Sequence, residues 1–440
     1  MLCMRTAKVP TVIDLFSGAG GIAAGFRLAG FRSICASDID PDACATFRLN
    51  FPDAVVVHGD IRLPSVKAEV LEAGADADIV VGGPPCQAFS QVRNHVRLID
   101  DPKNLLYKEF VSIVSRVLPS VFMMENVTGI DQMGAREQIT RDLELAGEYF
   151  VCPQIIDAAD VGVPQSRKRL IFIGVKRTLN VVPPIIEQTL ATKSLSLVRQ
   201  ASLGHHSYTL VGFDDLFGGA LGNALADPEN LSIVSASQAL SDLRKLPMGN
   251  RSDVIAYADL HATQSAYQRF MREGAGELLH NVQVPRLRDD TAMRLAAIPP
   301  GGNHRDLPEA LFERNITGGK WGRENGSGRL SRMHFYAYRR LHPDAWSWTL
   351  NTKADSVYHY DAIRSLSVRE FARLHSFQDR FHFTTDPRSG PLLGRHDGGP
   401  AHSRYRQVGN AVPPLLAFAC AKAIREAVFS SGVAKQRQAA

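Results

Sequence analysis

The sequence predicts an α/β fold built on a mostly parallel sheet and interrupted by one long insertion of mostly irregular and β character. Three observations predict it. Short apolar runs alternate with amphipathic stretches up to Val175, the rhythm then breaks, and helical pattern returns only near residue 365. Short β-rich runs bounded by glycine and separated by helices make parallel βαβ units, since parallel neighbours need a crossover between them.

Taken in order, "TVIDLF" (11–16) reads as a strand and "GIAAGFRLAG" (21–30) as a helix closed by Gly30. "FRSICASD" (31–38) is the next strand, followed by a helix opening near Pro41. Further strands are expected at "AVVVHGD" (54–60), "ADIVVGG" (77–83), "SVFMMEN" (120–126) and "RLIFIGV" (169–175), with helices near 104–118 and 133–146. "SLSVREFARLHSF" (365–377) is a helix opened by the capping pair Ser367 and Glu370, and "AVPPLLAFACAKAIREAV" (411–428) is a second. The expected division is residues 1–184, an insertion over 185–361, and a return to the first domain over 362–440.

Composition bounds the function. With 440 residues, 45% hydrophobic and 22% charged, the chain is an ordinary globular protein of about two domains, which excludes disordered and fibrous classes. No apolar run reaches the length of a membrane span, and "MLCMRTAKVP" lacks a secretory core, so a cytoplasmic protein is expected. The six cysteines (positions 3, 35, 44, 86, 152 and 420) form no Cys-x-x-Cys pair; no metal site is expected, and five of them read as small buried apolar residues. A net charge of +5 permits a polyanionic partner without requiring one.

"DLFSGAGGIAAGF" follows a strand and opens a helix. Gly18-x-Gly20-x-x-Ala23, with Asp38 at the end of the second strand, satisfies the dinucleotide fingerprint. Glycines admit a ligand to the backbone and a carboxylate grips ribose hydroxyls, which suits any adenosine cofactor. Asp60, after the third strand, is placed to accept from an adenine amino group, as S-adenosylmethionine would use it. The loop by itself leaves nicotinamide and S-adenosylmethionine both open.

"DIVVGGPPCQAFS" (78–90) then puts Cys86 beyond a buried strand, after two rigid prolines and before a long polar loop suited to closing over substrate. Glu125 ends the next strand, where an unpartnered buried carboxylate would be costly. Arg167 and Arg169 follow with period two, on one face of a strand. The alternatives are a buried structural thiol, a solvated strand end and a surface patch of arginines; because all of them follow sheet strands, the expectation is a thiol, a carboxylate and two guanidinium groups at one sheet edge.

On these residues the chain resembles the DNA (cytosine-5)-methyltransferase family. "DLFSGAGG", "GGPPCQAFS", "ENV", "QSRKRLIFIG", "RSLSVREFARLHSFQD" and "QVGNAVPP" match its signature blocks in the family's order, over about residues 10–178 and 362–420. The resemblance implies a Rossmann-like, S-adenosylmethionine-dependent catalytic domain with an inserted target-recognition domain. It implies that Cys86, as thiolate, adds to cytosine C6, that Glu125 holds the N3 and amino edge as an acid which burial favours, and that Arg169 contacts the base or its phosphate with Arg167 in support. For the cofactor it implies Phe16, the loop Gly18, Ala19, Gly20 and Gly21, Asp38 and Ile39, Asp60 and Ile61, Gly83 and Pro85, Leu105, and finally Asn410 and Val412. Three departures bear on local geometry: Ile39 where an aromatic residue is common, "HSFQD" in place of a Gln-Gly-Phe-Pro type sequence, and Trp348 where a proline commonly precedes the threonine.

By the same resemblance, 185–361 reads the target. Arg314, Lys320, Arg323, Arg329, Arg332, Arg339 and Arg340 face one acid, Glu324, with Trp321, Phe335, Tyr336 and Tyr338 interleaved and glycines at 318, 319, 322, 326 and 328. That suits phosphate anchoring with a few base contacts. The expectation is a bacterial modification enzyme that methylates a flipped-out cytosine in a specific double-stranded DNA sequence, monomeric on DNA, cytoplasmic at the nucleoid, alone or beside a separate restriction endonuclease. No large segment precedes Pro10, as a compact enzyme would have it. The rivals are the same chemistry on tRNA, an NAD-dependent oxidoreductase, which would leave Cys86 and Glu125 without a task, and a catalytically silent DNA-binding module.

Overall fold

The computed structural model describes residues 9–85, 106–132, 134–189, 234–312, 338–389 and 400–430. Buried runs between glycine turns form β1 (Thr11–Leu15), β2 (Arg32–Asp38), β3 (Val55–His58), β4 (Ile79–Gly82), β5 (Val121–Val127), β6 (Tyr149–Asp157) and β7 (Lys168–Lys176). They make one sheet in the order β3-β2-β1-β4-β5-β7-β6. The pairs β3/β2, β2/β1, β1/β4 and β4/β5 are parallel, and β7 runs antiparallel to both β5 and β6. Strand order reverses between β1 and β4, which opens a crevice beyond their carboxyl ends.

Alternation along the strands fills two cores. Val12, Ile79, Val81, Met123 and Ile173 face one side, toward α1 (Gly21–Leu28). Ile13, Leu15, Val80, Phe122, Met124 and Phe172 face the other. There lie α3 (Pro64–Ala73), α4 (Leu106–Val117) and α5 (Arg136–Leu143), through Val70, Phe110, Ile113 and Leu143. Each such fully buried side chain is worth about 1.5–3 kcal/mol. The helix α2 (Pro41–Asn50) starts where Asp40 caps the Asp42 amide and Pro41 supplies the preset φ.

Within the described part of the insertion are α6 (Ala236–Leu240), β8 (Val254–Ala256), α7 (Ala266–Arg272), β9 (Leu278–His280) and α8 (Asp289–Ala297), with β8 and β9 forming one antiparallel ribbon. The chain returns through α9 (Val368–Leu374), α10 (Pro400–Asn410) and α11 (Pro414–Ile424). Ser367 and Glu370 form the expected capping box at the start of α9.

α11 lies directly on α1, and two glycines permit it. A Cβ on Gly25 would sit 2.3 Å from the Pro414 carbonyl oxygen, and one on Gly21 2.1 Å from that of Val412. α9 ties the insertion down by charge. Arg373, fully buried, donates to Asp379 at 2.9 and 2.6 Å and to Asp242 at 2.5 Å, while Arg272 of α7 donates to Asp242 at 2.9 and 2.6 Å. Burial opposes the charge on Arg373, but the two carboxylates prevail and raise its pKa above the ordinary arginine range. Among the described residues no helix is long and apolar enough to cross a membrane.

Candidate active site

A cavity of about 600 Å³ lies at the crevice between β1 and β4. Its walls are the turns after the parallel strands, the end of β5, the start of antiparallel β7, and residues of α10. Phe16, Gly18, Ala19, Asp38, Ile39, Asp60, Ile61, Gly83, Pro85, Glu125, Arg167, Arg169 and Asn410 all line it. Gly20, Gly21 and Val412 are not among its walls. Gly20 caps α1 at φ 101°, pressed on the Phe47 and Phe51 rings, and Gly21 backs onto Val412, so these glycines serve the turn and the α1–α11 contact. Cys86, Leu105 and the basic segment 314–336 lie outside the described residues; Leu106 lines the cavity.

β1 ends in a tight turn in which Phe16 adopts φ 52° and Gly18 also φ 52°. Asp38, at the end of β2, fixes this turn: one carboxylate oxygen accepts the Gly18 amide at 2.8 Å and the other the Asp40 amide at 2.8 Å. Burial raises the pKa of Asp38 above the ordinary aspartate range, with those amides opposing. Asp60 is met by Arg62, whose Nε lies 2.9 and 3.0 Å from its two oxygens, and this hydrogen bonding lowers its pKa. Ile39 presents its side chain 63% exposed at the same rim, an aliphatic surface in place of a ring.

At the other end, Gly83 leaves room for Glu125: a Cβ there would stand 3.0 Å from a Glu125 carboxylate oxygen. The Glu125 carboxylate meets Arg169 Nε at 2.6 Å, both side chains nearly buried. The acid therefore faces a cation, one of the two arginines that the sequence set at the same sheet edge. Asn126, buried beside it, donates to the Pro84 carbonyl at 3.2 Å and holds the backbone that leads to Cys86. Its tie to Pro84 is a tertiary contact; only its place beside Glu125 at a strand end marked it in the sequence.

The two arginines part ways. Arg167 donates from its guanidinium to the Leu350 carbonyl at 3.2 Å and the Gly409 carbonyl at 2.9 Å. Burial drives its pKa well below the ordinary range, Arg169 adding repulsion and Glu125 opposing. Arg167, just before β7, is thus a staple to the segment around Leu350 and to the C-terminal end of α10, which carries Asn410. Gln165 extends it, donating to the Leu374 carbonyl at 3.2 Å and to His375 at 2.9 Å; His375 also meets the Ala411 carbonyl at 2.8 Å.

The cavity suits an adenosine bearing a positive sulfonium. The carboxylates of Asp38 and Asp60 stand on its walls, and Phe16 and Ile39 offer apolar surface. The four arginines on its walls are already engaged: Arg62 with Asp60, Arg169 with Glu125, Arg406 with Asp40, and Arg167 with two carbonyls. A dinucleotide pyrophosphate would have to compete for them. Three of the four described cysteines are poor nucleophiles: burial pushes the thiols of Cys35, Cys44 and Cys420 up to about 12.

A family model described as C-5 cytosine-specific DNA methylase matches residues 10–426. The chain is 31% identical over 419 residues to the type II methyltransferase M1.HphI of Haemophilus parahaemolyticus, spanning 94% of this chain and 86% of that protein. It is 32% identical over 423 residues to the type II methyltransferase M.DdeI of Desulfomicrobium norvegicum, spanning 94% and 88%. Among solved structures, one described as a DNA modification methyltransferase encoded within an E. coli prophage superposes with a TM-score of 0.64 at 23% identity, over 96% of this chain and all of that one, a likeness of fold.

Proposed function

This chain belongs to the C-5 cytosine-specific DNA methylase family, and from that membership we propose that it methylates C5 of a cytosine swung out of a specific duplex sequence, through a covalent bond between Cys86 and ring C6. It is a DNA (cytosine-5-)-methyltransferase whose methyl donor is S-adenosylmethionine. One observation carries the finer reading: Glu125 and Arg169 share a single cavity with Phe16, Asp38 and Asp60 and with Pro85, the residue covalently joined to Cys86.

Cytosine C5 is too weak a nucleophile to take a methyl group unaided. Cys86, as thiolate, bonds to C6, and the C5–C6 π pair moves to C5. Glu125 engages N3 and the exocyclic amino group, and sharing a proton at N3 makes C6 more electrophilic. Arg169 fixes the Glu125 carboxylate, and Asn126 fixes the Pro84 backbone from which the thiol is presented. S-adenosylmethionine, when bound, supplies an electrophilic methyl group to C5. The C5 proton then leaves to a base, the π bond re-forms, and Cys86 is expelled. Ring C6 and the N3 edge are inaccessible in a stacked duplex, so the base must leave the helix.

In this reading the insertion, 185–361, recognises the sequence, and the enzyme works alone or beside a separate restriction endonuclease. Bisulfite sequencing of DNA from cells expressing the chain, beside cells expressing Cys86→Ser, tests it. Methylcytosine at one sequence context in the first and none in the second is expected; equal methylation in both would overturn the assignment of Cys86.

A further inference from the structure

We propose that Arg406 is a positioning residue for cofactor binding, acting on the ribose-gripping carboxylate of Asp38 through Asp40; the inference rests on the cofactor reading of this cavity. α10 approaches α2 with one face. Ser403, Arg406 and Gln407, spaced three and four residues apart, meet Asp42, Asp40 and Thr46 in turn. Two of these contacts are buried fastenings: the Ser403 hydroxyl donates to Asp42 at 2.5 Å, and the Thr46 hydroxyl donates to Gln407 at 2.6 Å. The third differs. Arg406 Nη2 stands 3.0 Å from Asp40 Oδ2 with both side chains about 30% exposed, at the rim of the cavity that Asp38, Asp40, Arg406 and Gln407 all line.

Asp40 is committed on every side. Its Oδ1 accepts the Asp42 amide, its own amide donates to Asp38 Oδ1, and Asp38 Oδ2 accepts the Gly18 amide. An unbroken chain therefore runs from Arg406 through Asp40 and Asp38 to the glycine turn under the cofactor. Asp40 and Asp38 are like charges side by side, and Asp40 helps to disfavour ionisation of Asp38. The Arg406 guanidinium offsets that repulsion and holds Asp40 in the orientation that keeps its amide on Asp38. Ser403 and Gln407 attach α10 without it, so removing the charge leaves the helix docked.

The test is Arg406→Gln, Arg406→Lys, Asp40→Asn and the Arg406→Gln/Asp40→Asn double variant, read by equilibrium binding of S-adenosylmethionine and steady-state methylation. Arg406→Gln is expected to raise Kd and KM for S-adenosylmethionine about 3- to 10-fold, as loss of a partly exposed ion pair does, with kcat at saturating cofactor within about twofold. Arg406→Lys should recover most of the affinity, the double variant should bind no worse than the worse single variant, and the defect should shrink as salt is raised. An unchanged Kd in Arg406→Gln, or equal loss in Arg406→Gln and Arg406→Lys with a lowered Tm, would overturn the proposal. Asp38→Asn separates the two readings. More than tenfold weaker binding there with a normal Arg406→Gln rejects Arg406 alone, and normal binding in Asp38→Asn rejects the cofactor reading and this proposal with it.

Discussion

Replacing Arg167 by methionine removes the guanidinium that joins three parts of the molecule while keeping most of the side-chain volume. The Leu350 and Gly409 carbonyls lose a charged donor in a place water does not reach. Each buried unsatisfied carbonyl costs about 1–3 kcal/mol, and relief of a buried charge without a paired carboxylate returns part of it. A net destabilisation of about 2–4 kcal/mol follows, about 1 M or less in urea midpoint because the denaturant slope grows with chain size. No slack absorbs the change: a Cβ on Gly409 would already lie 2.1 Å from the Asn351 carbonyl oxygen. Asn410, one residue on, would shift with it, so Kd for S-adenosylmethionine and for duplex DNA should rise together while single-turnover methylation at saturation falls less than about tenfold. Urea unfolding, cofactor titration and single-turnover assays measure these. A variant of unchanged stability whose turnover at saturation falls by a hundredfold or more would refute the staple and restore Arg167 to the chemistry. Arg167→Lys should fail to rescue, since one ammonium cannot serve both carbonyls with the fork's geometry.

Glu125→Gln should lower turnover by about 10²- to 10⁴-fold with cofactor affinity nearly intact, measured by single-turnover assays and cofactor titration. Burial pulls the pKa of His359 down to about 4 against the attraction of Glu370. The unfolded chain therefore binds the extra proton between about pH 6.5 and 4; the contribution is complete above that window and lost as pH falls, about 2 kcal/mol by pH 5. Denaturation series at pH 7 and pH 5 should show this loss, reduced in His359→Gln. Gly25→Ala should cost about 1–3 kcal/mol or more by forcing α1 from α11, seen as a lower Tm.

The parallel half of the sheet was legible because its inner strands β1 and β4 are buried on both faces and all its strands read as apolar runs between glycine turns. β6 was not. "YFVCPQIID" carries Pro153 and mixed polarity, which only an edge strand tolerates, and β6 pairs with β7 alone. α10 was hard to see for a different reason: in "PAHSRYRQVGN" Tyr405 and Val408 are the large apolar residues that reach the core, and hydrogen bonds and one ion pair fix the helix to α2. In α9, Arg369, Glu370 and Arg373 look like a solvated face, yet all three are fully buried, since Arg364 and Asp379 flank the helix as partners and Asp242 reaches it from the insertion. Period two suggested that Arg167 and Arg169 work as a pair; Arg167, just before β7, is held by the Leu350 and Gly409 carbonyls, while Arg169 pairs with Glu125. The spacing of Gly18, Asp38 and Asp60 pointed to the crevice that all three line, but no pattern revealed that Gly21 faces Val412 and Gly25 faces α11.

The central claim is a bond between the sulfur of Cys86 and a cytosine ring. Duplex DNA in which 5-fluorocytosine replaces cytosine at the target identified by bisulfite sequencing, incubated with the protein and S-adenosylmethionine, blocks loss of the C5 substituent and should halt the reaction as a stable complex. Mass spectrometry of the digested complex should then find the modified base on the peptide containing Cys86, and no complex should form with Cys86→Ser. Failure to trap on a sequence that the same preparation methylates, or an adduct on any other residue, would contradict the account.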